Sequence, residues 1–530
     1  MNKKEITKQQ KYRRMKNLFL RQSYLDAWED YLRSIRKASY AQWDYVVLTA
    51  SNEAQAESFE KQIEWRREKN VLPKNTKFLV IPDPDGKRIG SGGATLQVLR
   101  VLSEQERFCG NFHNKRVLVI HSGGDSKRVP QYSVCGKLFS PVPRELPDGR
   151  PSTLFDEFLI GMAGVPSRFK EGMLILSGDV LLLFNPLQID ASFEGAAAIS
   201  MKSPVEIGKD HGVFLNDGTD HVQKFLHKQT VETLQAMGAV NREGNVDLDT
   251  GAVLCGAEML EALFSLIAED NEICEEKYRK FVNEKARISF YGDFLYPLAK
   301  DSTLEQFYQE QPEGSFCDEL KECRTEIWEA LHKFPMKLIC LSPTEFIHFG
   351  TTKELRSLLT KEINDYEFLE WKEKVFTNRE DCPGAMHNAL LGDSVEIYEG
   401  CYIENSLIQG HTVINQGAVV SNMCLEDISV PADTVLHGVQ IRDTKEHVVR
   451  IYGVYDNPKN TLESNGSFLS GTLQEMLEKN GLLPEDLWED CGHYLWTAKL
   501  YPSASTQKEA AEASMILLHM ADGTASAADV

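Results

Sequence analysis

The sequence predicts an α/β protein with a Rossmann-like parallel sheet, followed by a short left-handed parallel β-helix and a mostly helical C-terminal segment. Two patterns predict these parts. An apolar run at residues 45–50, a helical pattern at 53–70 and a second apolar run at 78–81 form a β-α-β order, which is typical of parallel sheets. Farther on, apolar residues between 391 and 441 recur with a period near six, which is typical of a β-helix.

The stretch from residue 117 to 130 organises the chain. Its first four residues form a short apolar run, rich in β-branched side chains, that predicts a buried strand. The glycines that follow let the backbone turn tightly and present N–H groups to an anion, and the nearby Lys and Arg side chains add positive charge. The pattern favours a triphosphate site, and a plain structural turn is the alternative. The candidate residues are Gly123, Gly124, Asp125, Ser126, Lys127, Arg128 and Lys137.

A second glycine-rich stretch, residues 89–95, leads into a helical pattern at 96–102. Such a loop at a helix N-terminus suits a phosphate or the edge of a nucleobase. It lacks the Gly-Lys-Ser/Thr ending of a P-loop and the downstream acid of a dinucleotide fingerprint. A tight structural turn is again the alternative. The candidate nucleotide-binding residues are Gly90, Ser91, Gly92 and Gly93.

Two Gly-Asp pairs are candidates for metal binding. Asp179 follows an apolar run at residues 172–177 after a single glycine, and ligands of open α/β sheets bind at the carboxyl ends of strands. A carboxylate there is placed to hold Mg²⁺ against phosphate oxygens, although strand-end aspartates also form caps and turns. Asp293 is the second candidate, with an aromatic-flanked turn as its alternative.

Composition excludes several classes of function. The chain has 530 residues, which predicts about two to four domains. Its net charge of −21 disfavours a general nucleic-acid binder. We expect no membrane span, because no apolar run approaches about 18 residues, and no signal peptide, because the N-terminus lacks an apolar core. The eleven cysteines are irregularly spaced, which predicts free thiols and a cytoplasmic location.

The motifs at residues 121–130 and 136–142 resemble the sugar-nucleotide pyrophosphorylase signature: a strand, a G-G-x-x-x-R loop and a downstream lysine beside a proline. Together with residues 89–95, they are similar to the L-fucokinase/GDP-L-fucose pyrophosphorylase family. The likeness runs from about residue 44 to about residue 502. It implies a nucleotidyltransferase domain of the GT-A-like type, and a β-helix is a familiar appendage of such enzymes.

The resemblance also implies roles for particular residues. In similar enzymes a lysine near the end of a strand holds the sugar phosphate; Lys228 is the candidate, Lys224 is its rival, and a solvated edge-strand lysine is the structural alternative. Asp249, Thr250 and Gly251 match the segment that touches the sugar hydroxyls. Asp179 stands where the family carries its metal aspartate.

The implied reaction joins GTP and L-fucose 1-phosphate into GDP-L-fucose and pyrophosphate, with Mg²⁺ as cofactor. Two alternatives stay open. One is a pyrophosphorylase for another nucleotide or sugar; the other is a non-catalytic regulatory domain of a fucokinase, because Asp125 and Ser126 depart from the general loop pattern. A fucokinase, covalently joined or separate, is an expected partner, and nucleic acid and membranes are not. Self-association is left open.

The predicted organisation has four parts. Residues 1–40 form a helical segment whose basic start is either solvated or an interaction arm. Residues 41–380 form the nucleotidyltransferase domain, 381–445 the β-helix, and 446–530 the C-terminal segment; the kinase domain of bifunctional relatives is expected to be absent, since no Gly-Leu-Gly-x-Ser-Ser loop occurs. The residues that recur in the β-helix pattern are Leu391, Ile397, Ile403, Ile408, Ile414 and Val420.

Overall fold

A computed structural model describes residues 3–105, 111–122, 124–209, 211–489 and 492–524, with side chains from residue 10 onward. The chain divides into two compact units. Unit 1 comprises Met1–Gly124 and Phe155–Ile347, and unit 2 comprises Asp125–Leu154 and His348–Val530.

The helices and strands follow one another along the whole chain. The α-helices are α1 (Lys3–Arg36), α2 (Glu53–Glu68), α3 (Gly90–Ser103), α4 (Leu154–Gly161), α5 (Val205–Gly208), α6 (Val231–Ala236), α7 (Ala257–Ser265), α8 (Glu275–Phe281), α9 (Leu304–Phe307), α10 (Asp318–Leu331), α11 (Thr352–Thr360), α12 (Leu473–Asn480), α13 (Pro484–Leu487) and α14 (Gln507–Asp522). The strands are β1 (Tyr45–Ala50), β2 (Lys77–Pro82), β3 (Arg116–His121), β4 (Pro141–Glu145), β5 (Pro151–Thr153), β6 (Gly172–Ser177), β7 (Val180–Leu183), β8 (Ala196–Pro204), β9 (Gly212–Asn216), β10 (Val222–His227), β11 (Asn245–Cys255), β12 (Ala268–Glu269), β13 (Glu272–Ile273), β14 (Met336–Leu341), β15 (Glu345–His348), β16 (Lys374–Thr377), β17 (Ala385–Leu391), β18 (Glu396–Ile397), β19 (Tyr402–Gln409), β20 (Val413–Ile414), β21 (Val419–Ser421), β22 (Cys424–Glu426), β23 (Ser429–Val430), β24 (Thr434–Gln440), β25 (His447–Gly453), β26 (Ser467–Phe468), β27 (Gly471–Thr472) and β28 (Ser503–Ala504).

Unit 1 is built on a mixed sheet with the strand order β10-β9-β11-β6-β3-β1-β2, to which β8 and β14 attach beside β11. Strands β2, β1, β3 and β6 are mutually parallel, and β11 runs antiparallel to β6. Every residue of β1 is buried, as expected for a parallel strand that is covered on both faces. The predicted α/β class is confirmed, and the sheet is mixed rather than purely parallel.

The first β-α-β unit agrees with its predicted bounds. Strand β1 coincides with the predicted run, α2 begins at the predicted residue, and β2 extends the predicted strand by one residue at each end. The side chain of Asn52 caps α2 by accepting a hydrogen bond from the backbone N–H of Gln55. In this unit the carboxyl ends of β1, β3 and β6 share one edge, because Thr49, His121 and Ser177 are neighbours in the register.

Unit 2 contains parallel strands stacked at a nearly constant sequence interval. Leu391 lies beside Ile408, Ile397 beside Ile414, and Ile403 beside Val420, each pair 17 residues apart. All six side chains are buried, so the residues of the predicted six-residue pattern are the ones that stack. The strands belong to two sheets, β16-β17-β19-β21-β24-β25-β28 and β18-β20-β23. The left-handed β-helix itself stays a prediction.

The C-terminal segment begins with β25 and carries the helices α12 and α14. The side chains of Thr472 and Thr506 cap these helices in reciprocal capping boxes. Within the residues that the structure describes, no helix is both long and apolar enough to cross a membrane.

Candidate functional site

A cavity of about 190 Å³ opens in unit 1 beside the carboxyl ends of β1 and β3. The two glycine-rich stretches both contribute to its wall: Gly90 and Ser91 from one, and Ser122 and Gly124 from the other. Gly123 lies outside the described residues. Open α/β sheets bind ligands at this edge, and the structure brings three predicted nucleotide-binding residues, Gly90, Ser91 and Gly124, together there.

The remaining glycines of the first stretch serve packing. The backbone N–H groups of Gly92 and Gly93 both donate to the carbonyl oxygen of Ile288, at 2.8 and 3.3 Å. A Cβ at Gly90 would lie 2.2 Å from that oxygen, and one at Gly92 would lie 2.6 Å from the Ile288 side chain. The N–H groups of Gly92 and Gly93 are thus occupied by a protein carbonyl, while Gly90 and Ser91 line the cavity.

Two carboxylic acids that the sequence analysis did not select also line this cavity. Burial raises the pKa of Asp83 to about 7, against the opposing effects of the Ile89 N–H and Arg88. Glu313 is exposed; the Ser91 N–H donates to it at 3.4 Å, and partial desolvation raises its pKa. Asp83 follows the last residue of β2, so the strand-end rule applied to Asp179 could have found it, whereas Glu313 carries no comparable sequence signal.

A buried histidine completes the wall. His121 is 7 % exposed, and its two ring nitrogens lie 3.3 Å from Thr49 Oγ1 and 3.1 Å from Thr95 Oγ1. Burial lowers the pKa of His121 to about 4. The imidazole is therefore neutral at physiological pH, with one nitrogen donating and the other accepting.

A second group of polar side chains gathers at the same edge of the sheet, where β6 ends and β11 is irregular. Ser177 donates to Asp179 Oδ1 at 2.7 Å, and the N–H of Gly251 donates to Asp249 Oδ1 at 2.9 Å. Burial and the charges of Asp249 and Asp179 together raise the pKa of Tyr291 well above its ordinary value. The predicted metal aspartate and the predicted sugar-binding aspartate thus lie close to one tyrosine.

The local backbone explains the other residues of the predicted sugar segment. The register between β11 and β8 shifts between Asp249 and Ala252. Within this irregularity Gly251 has a φ of +70°, and a Cβ there would lie 3.1 Å from the Cβ of Ser177. Tyr291 donates to the Gly251 carbonyl at 2.9 Å. Thr250 points elsewhere and donates to a backbone carbonyl of β8 at 2.6 Å, so Asp249 is the side chain of this segment that faces Tyr291.

Asp293 lies in surroundings that differ from the predicted metal site. It is 1 % exposed, as is Arg324. Arg324 Nε donates to Asp293 Oδ1 at 2.8 Å, and the N–H of Ser289 donates to Oδ2 at 2.7 Å. Both carboxylate oxygens of Asp293 already accept hydrogen bonds within the core. These contacts disfavour Asp293 as a metal ligand.

The loop that follows Gly124 belongs to unit 2, where several of its groups are held by local contacts. Lys127 Nζ pairs with Asp125 at 2.8 Å and lies 5.8 Å from the centre of the Trp496 ring. Ser126 has a φ of +53°, and its hydroxyl accepts the Lys137 N–H at 3.2 Å. The side chain of Arg128 is exposed.

Lys137 is a buried cation at the end of this loop. It is 3 % exposed, and its ammonium donates to the Gly350 carbonyl at 2.8 Å. In the same unit, Tyr132 donates to Glu404 at 2.8 Å. Glu404 is fully buried and also accepts hydrogen bonds from Tyr402 and Ser421, at 2.8 and 2.6 Å. The stacked strands of unit 2 thereby hold the loop that carries the predicted cations.

The predicted sugar-phosphate lysine lies at the surface of unit 1. Lys228 is exposed with a φ of +49°, and its backbone N–H donates to the His211 carbonyl at 3.0 Å. Its rival Lys224 is half-buried on β10. The exposure of Lys228 is compatible with binding an anion, and equally with a solvated side chain.

Comparison with known proteins identifies the family of this chain. Residues 110–506 match the family model described as "Fucose pyrophosphorylase domain". The chain belongs to this family. The fucose pyrophosphorylase match includes Lys127, Lys137, Asp179 and Asp249 and leaves out the glycine-rich stretch at residues 89–95.

The chain is similar to two curated proteins and to one solved structure. "Fucose-1-phosphate guanylyltransferase" of Mus musculus is 27% identical over 523 residues, covering 90% of this chain and 86% of that protein. "Bifunctional fucokinase/GDP-fucose pyrophosphorylase" of Arabidopsis thaliana is 26% identical over 517 residues, covering 87% of this chain; the chain spans about half of that relative, 47%. HddC from Yersinia pseudotuberculosis aligns with a TM-score of 0.28 at 10% identity, covering 62% of this chain and 80% of that one.

Proposed function

We propose that this chain is a fucose-1-phosphate guanylyltransferase, which makes GDP-L-fucose and pyrophosphate from GTP and L-fucose 1-phosphate. The observation that carries the proposal is the family match over residues 110–506, together with a mouse relative of that printed name that aligns over nine-tenths of the chain. The proposed chemistry is an in-line attack by the sugar phosphate oxygen on the α-phosphorus, with pyrophosphate leaving. Catalysis then rests on positioning and on neutralising charge.

The nucleoside end of GTP is proposed to occupy the cavity of unit 1. The Gly90 and Ser91 backbone supports this placement, because both residues line the cavity. The carboxylates of Asp83 and Glu313 add hydrogen-bond acceptors to the same wall. Guanine presents N–H donors along one edge, which suits such acceptors. Base selectivity is thus assigned to these two acids and to Ser91.

The proposed roles of the cations rest on the motif order of the sequence. Lys127, Arg128 and Lys137 are proposed to neutralise the triphosphate, as the motif order implies, and Lys228 to hold the sugar phosphate. Lys137 is buried and its ammonium donates to the Gly350 carbonyl, so its proposed role rests on the motif order. Lys127→Ala is expected to reduce kcat by orders of magnitude with the fold intact.

A divalent cation, proposed to be Mg²⁺, would be held by Asp179 with Asp249. Among the described residues, no group of three or more His, Cys, Asp or Glu side chains is close enough to share a metal ion. Two carboxylates nevertheless fit Mg²⁺, which keeps several waters and is usually bound through one or two carboxylates plus substrate phosphates. When bound, the ion would supply positive charge to phosphate oxygens. Ser177 keeps Asp179 oriented through its hydrogen bond.

The finer structural and cellular assignments are proposals too. We infer that residues 381–445 form a left-handed parallel β-helix, supported by the interval of 17 residues between stacked positions. A cytoplasmic location is supported by the described cysteines, which are all free thiols. A kinase that phosphorylates L-fucose is the proposed supplier of the sugar substrate, either as a separate protein or as a fused domain.

A substrate panel tests the function. The purified protein would be mixed with each of four nucleoside triphosphates and several sugar 1-phosphates, with and without Mg²⁺, and pyrophosphate release measured. Release that is fastest with GTP and L-fucose 1-phosphate, and that stops when Mg²⁺ is withdrawn, is the expected result. A different preferred pair would point to another pyrophosphorylase. Failure to bind Mg·GTP in a titration would favour the non-catalytic alternative.

A further inference from the structure

One π-helical turn of unit 1, Phe290–Phe294, connects the two groups of polar side chains at the edge of the sheet. Such turns are rare, and many of them lie at functional sites. The N–H of its first residue donates to Ser91 Oγ, in the wall of the cavity, at 2.8 Å. Its second residue, Tyr291, donates to the Gly251 carbonyl of β11 at 2.9 Å. The turn therefore contacts both the glycine-rich stretch and the irregular part of β11.

The turn itself is fixed by the core of unit 1. Phe290 is fully buried, and its ring meets the ring of Tyr291 edge to face, with 5.3 Å between the ring centres. The buried pair of Asp293 and Arg324 closes the turn, because Asp293 also accepts a hydrogen bond from the N–H of Ser289. Packing and hydrogen bonds of this kind lock the direction of a side chain that supports a functional site. The ion pair thus fixes the base from which Tyr291 projects.

The hydrogen bond from Tyr291 ends on a residue that controls Asp249. Gly251 accepts from Tyr291 through its carbonyl and donates to Asp249 Oδ1 through its N–H, at 2.9 Å in both cases. The φ of Gly251 is +70°, in the region that glycine adopts readily. Because glycine has the most flexible backbone, these two hydrogen bonds, rather than its own torsional preference, set where the Asp249 carboxylate points.

Each of the two carboxylates is therefore oriented by one hydroxyl group. Ser177 donates directly to Asp179 Oδ1 at 2.7 Å, and Tyr291 acts on Asp249 through the backbone. Tyr291 lies near enough to both carboxylates for burial and their charges to raise its pKa well above the ordinary value. The phenol consequently stays protonated at physiological pH and remains a hydrogen-bond donor.

We propose that Tyr291 is a positioning residue of the site, which holds Asp249 near Asp179 through the backbone of Gly251. The inference rests on the proposed function, in which these two carboxylates hold Mg²⁺, and on the expectation that the segment of Asp249 touches the sugar. Tyr291 acts through another residue and is assigned no contact with substrate. Loss of its hydroxyl should weaken the use of Mg²⁺ and of the sugar phosphate, while the contact of the turn with Ser91 stays intact.

The test removes this one hydroxyl. Tyr291→Phe keeps the ring, and Tyr31→Phe is the matched control, because Tyr31 is a buried tyrosine of unit 1 that also donates to a backbone carbonyl, that of Val71. Both variants should lose thermal stability, since each leaves a carbonyl without its donor. In assays of pyrophosphate release below both unfolding midpoints, only Tyr291→Phe is expected to raise the KM for L-fucose 1-phosphate and the Mg²⁺ concentration for half-maximal activity, each about fivefold, the factor that one neutral hydrogen bond supplies. Its KM for GTP should stay within about twofold of the natural value.

Calorimetric titration of Mg²⁺ alone into the full-length protein gives a readout without turnover. Tyr291→Phe is expected to bind Mg²⁺ about fivefold more weakly than Tyr31→Phe. If the natural protein releases pyrophosphate and the two variants share the same KM values and Mg²⁺ dependence, the inference is overturned and the proposed function stands. If the natural protein releases no pyrophosphate from any substrate pair, the proposed function fails and the titration decides the inference alone. Weaker binding to Tyr291→Phe then supports it, and equal or undetectable binding to both variants overturns it.

Discussion

The clearest prediction concerns the two Gly-Asp pairs, which the sequence makes look alike and the structure separates. Asp293→Asn removes the charge of a side chain that is 1 % exposed and is paired with an equally buried Arg324. The amide oxygen of the asparagine can still accept the hydrogen bond from Arg324 Nε. Its NH₂ group would face the Ser289 N–H, which now donates to Oδ2 at 2.7 Å, so two donors would oppose each other.

The size of the effect follows from what Arg324 would lose. Its guanidinium also donates to the carbonyls of Phe307 and Glu310, both at 2.9 Å, so it would remain fixed in the core as an uncompensated charge. Removing one partner of a buried ion pair costs about 3–5 kcal/mol, and the hydrogen bond that asparagine retains puts the expected loss near the lower end. A loss of about 3 kcal/mol lowers the midpoint of thermal unfolding by roughly 5 °C.

The matched variant is Asp179→Asn, whose side chain is half-buried beside Ser177. It is expected to lower kcat by at least roughly 100-fold, to weaken the dependence on Mg²⁺, and to leave the unfolding midpoint within about 2 °C of the natural protein. Asp293→Asn should show the reverse. Its midpoint of thermal unfolding should be lower, but at temperatures below that midpoint the Mg²⁺ concentration for half-maximal activity should be unchanged. A stable Asp293→Asn protein with altered Mg²⁺ dependence would refute the assignment of Asp293 to the core.

Three further predictions follow from single contacts. Gly178→Ala places a Cβ 2.5 Å from a backbone carbonyl. It should lower the free energy of unfolding by about 1–3 kcal/mol and raise KM. The control Gly161→Ala, whose Cβ would have nothing within 4 Å, should change neither quantity in the same assays. Tyr132→Phe removes one donor from buried Glu404 and should cost about 1.5–3 kcal/mol in urea unfolding; no loss would show that the bond does not hold the loop. Because burial raises the pKa of Asp83 from 3.8 to about 7, the stability linked to its neutral form is present below about pH 4 and lost as pH rises through 7. Asp83→Asn should therefore gain stability relative to the natural protein by about 1–2 kcal/mol between pH 5 and pH 8, a figure reduced from the full shift because the side chain is partly exposed.

Local sequence patterns predicted the structure where neighbouring residues determine it. The alternation of apolar run and helix predicted β1, α2 and β2 to within two residues at each boundary. Strand ends were equally informative, because parallel strands bring their carboxyl ends to one edge. Ser122 and Asp179 follow β3 and β6, which are register neighbours. The six-residue pattern likewise identified side chains that stack in unit 2, where paired positions of parallel strands lie 17 residues apart.

The features that the sequence did not predict depend on contacts between distant segments of the chain. Nothing near Gly92 in the sequence shows that the carbonyl of Ile288 will take its N–H. Nothing near Asp293 shows that Arg324, 31 residues away, will neutralise it. Glu313 reaches the cavity from a segment without any motif. In each case a local signal, glycine or Gly-Asp, is compatible with two uses, and only the long-range partner decides between them.

The division of the chain into two units gives the stacked strands of unit 2 a structural role that the sequence did not predict. The predicted organisation assigns the loop after residue 124 to the nucleotidyltransferase domain and treats the β-helix as an appendage. In the structure, residues 125–154 fold with unit 2. Tyr132 is bonded to Glu404, and Arg144 donates to the Leu369 carbonyl at 3.0 Å. Since Lys137 is buried in that same unit, the positions of the proposed triphosphate-binding cations are set by residues more than 200 positions later in the chain, and the stacked strands are part of the loop's own support.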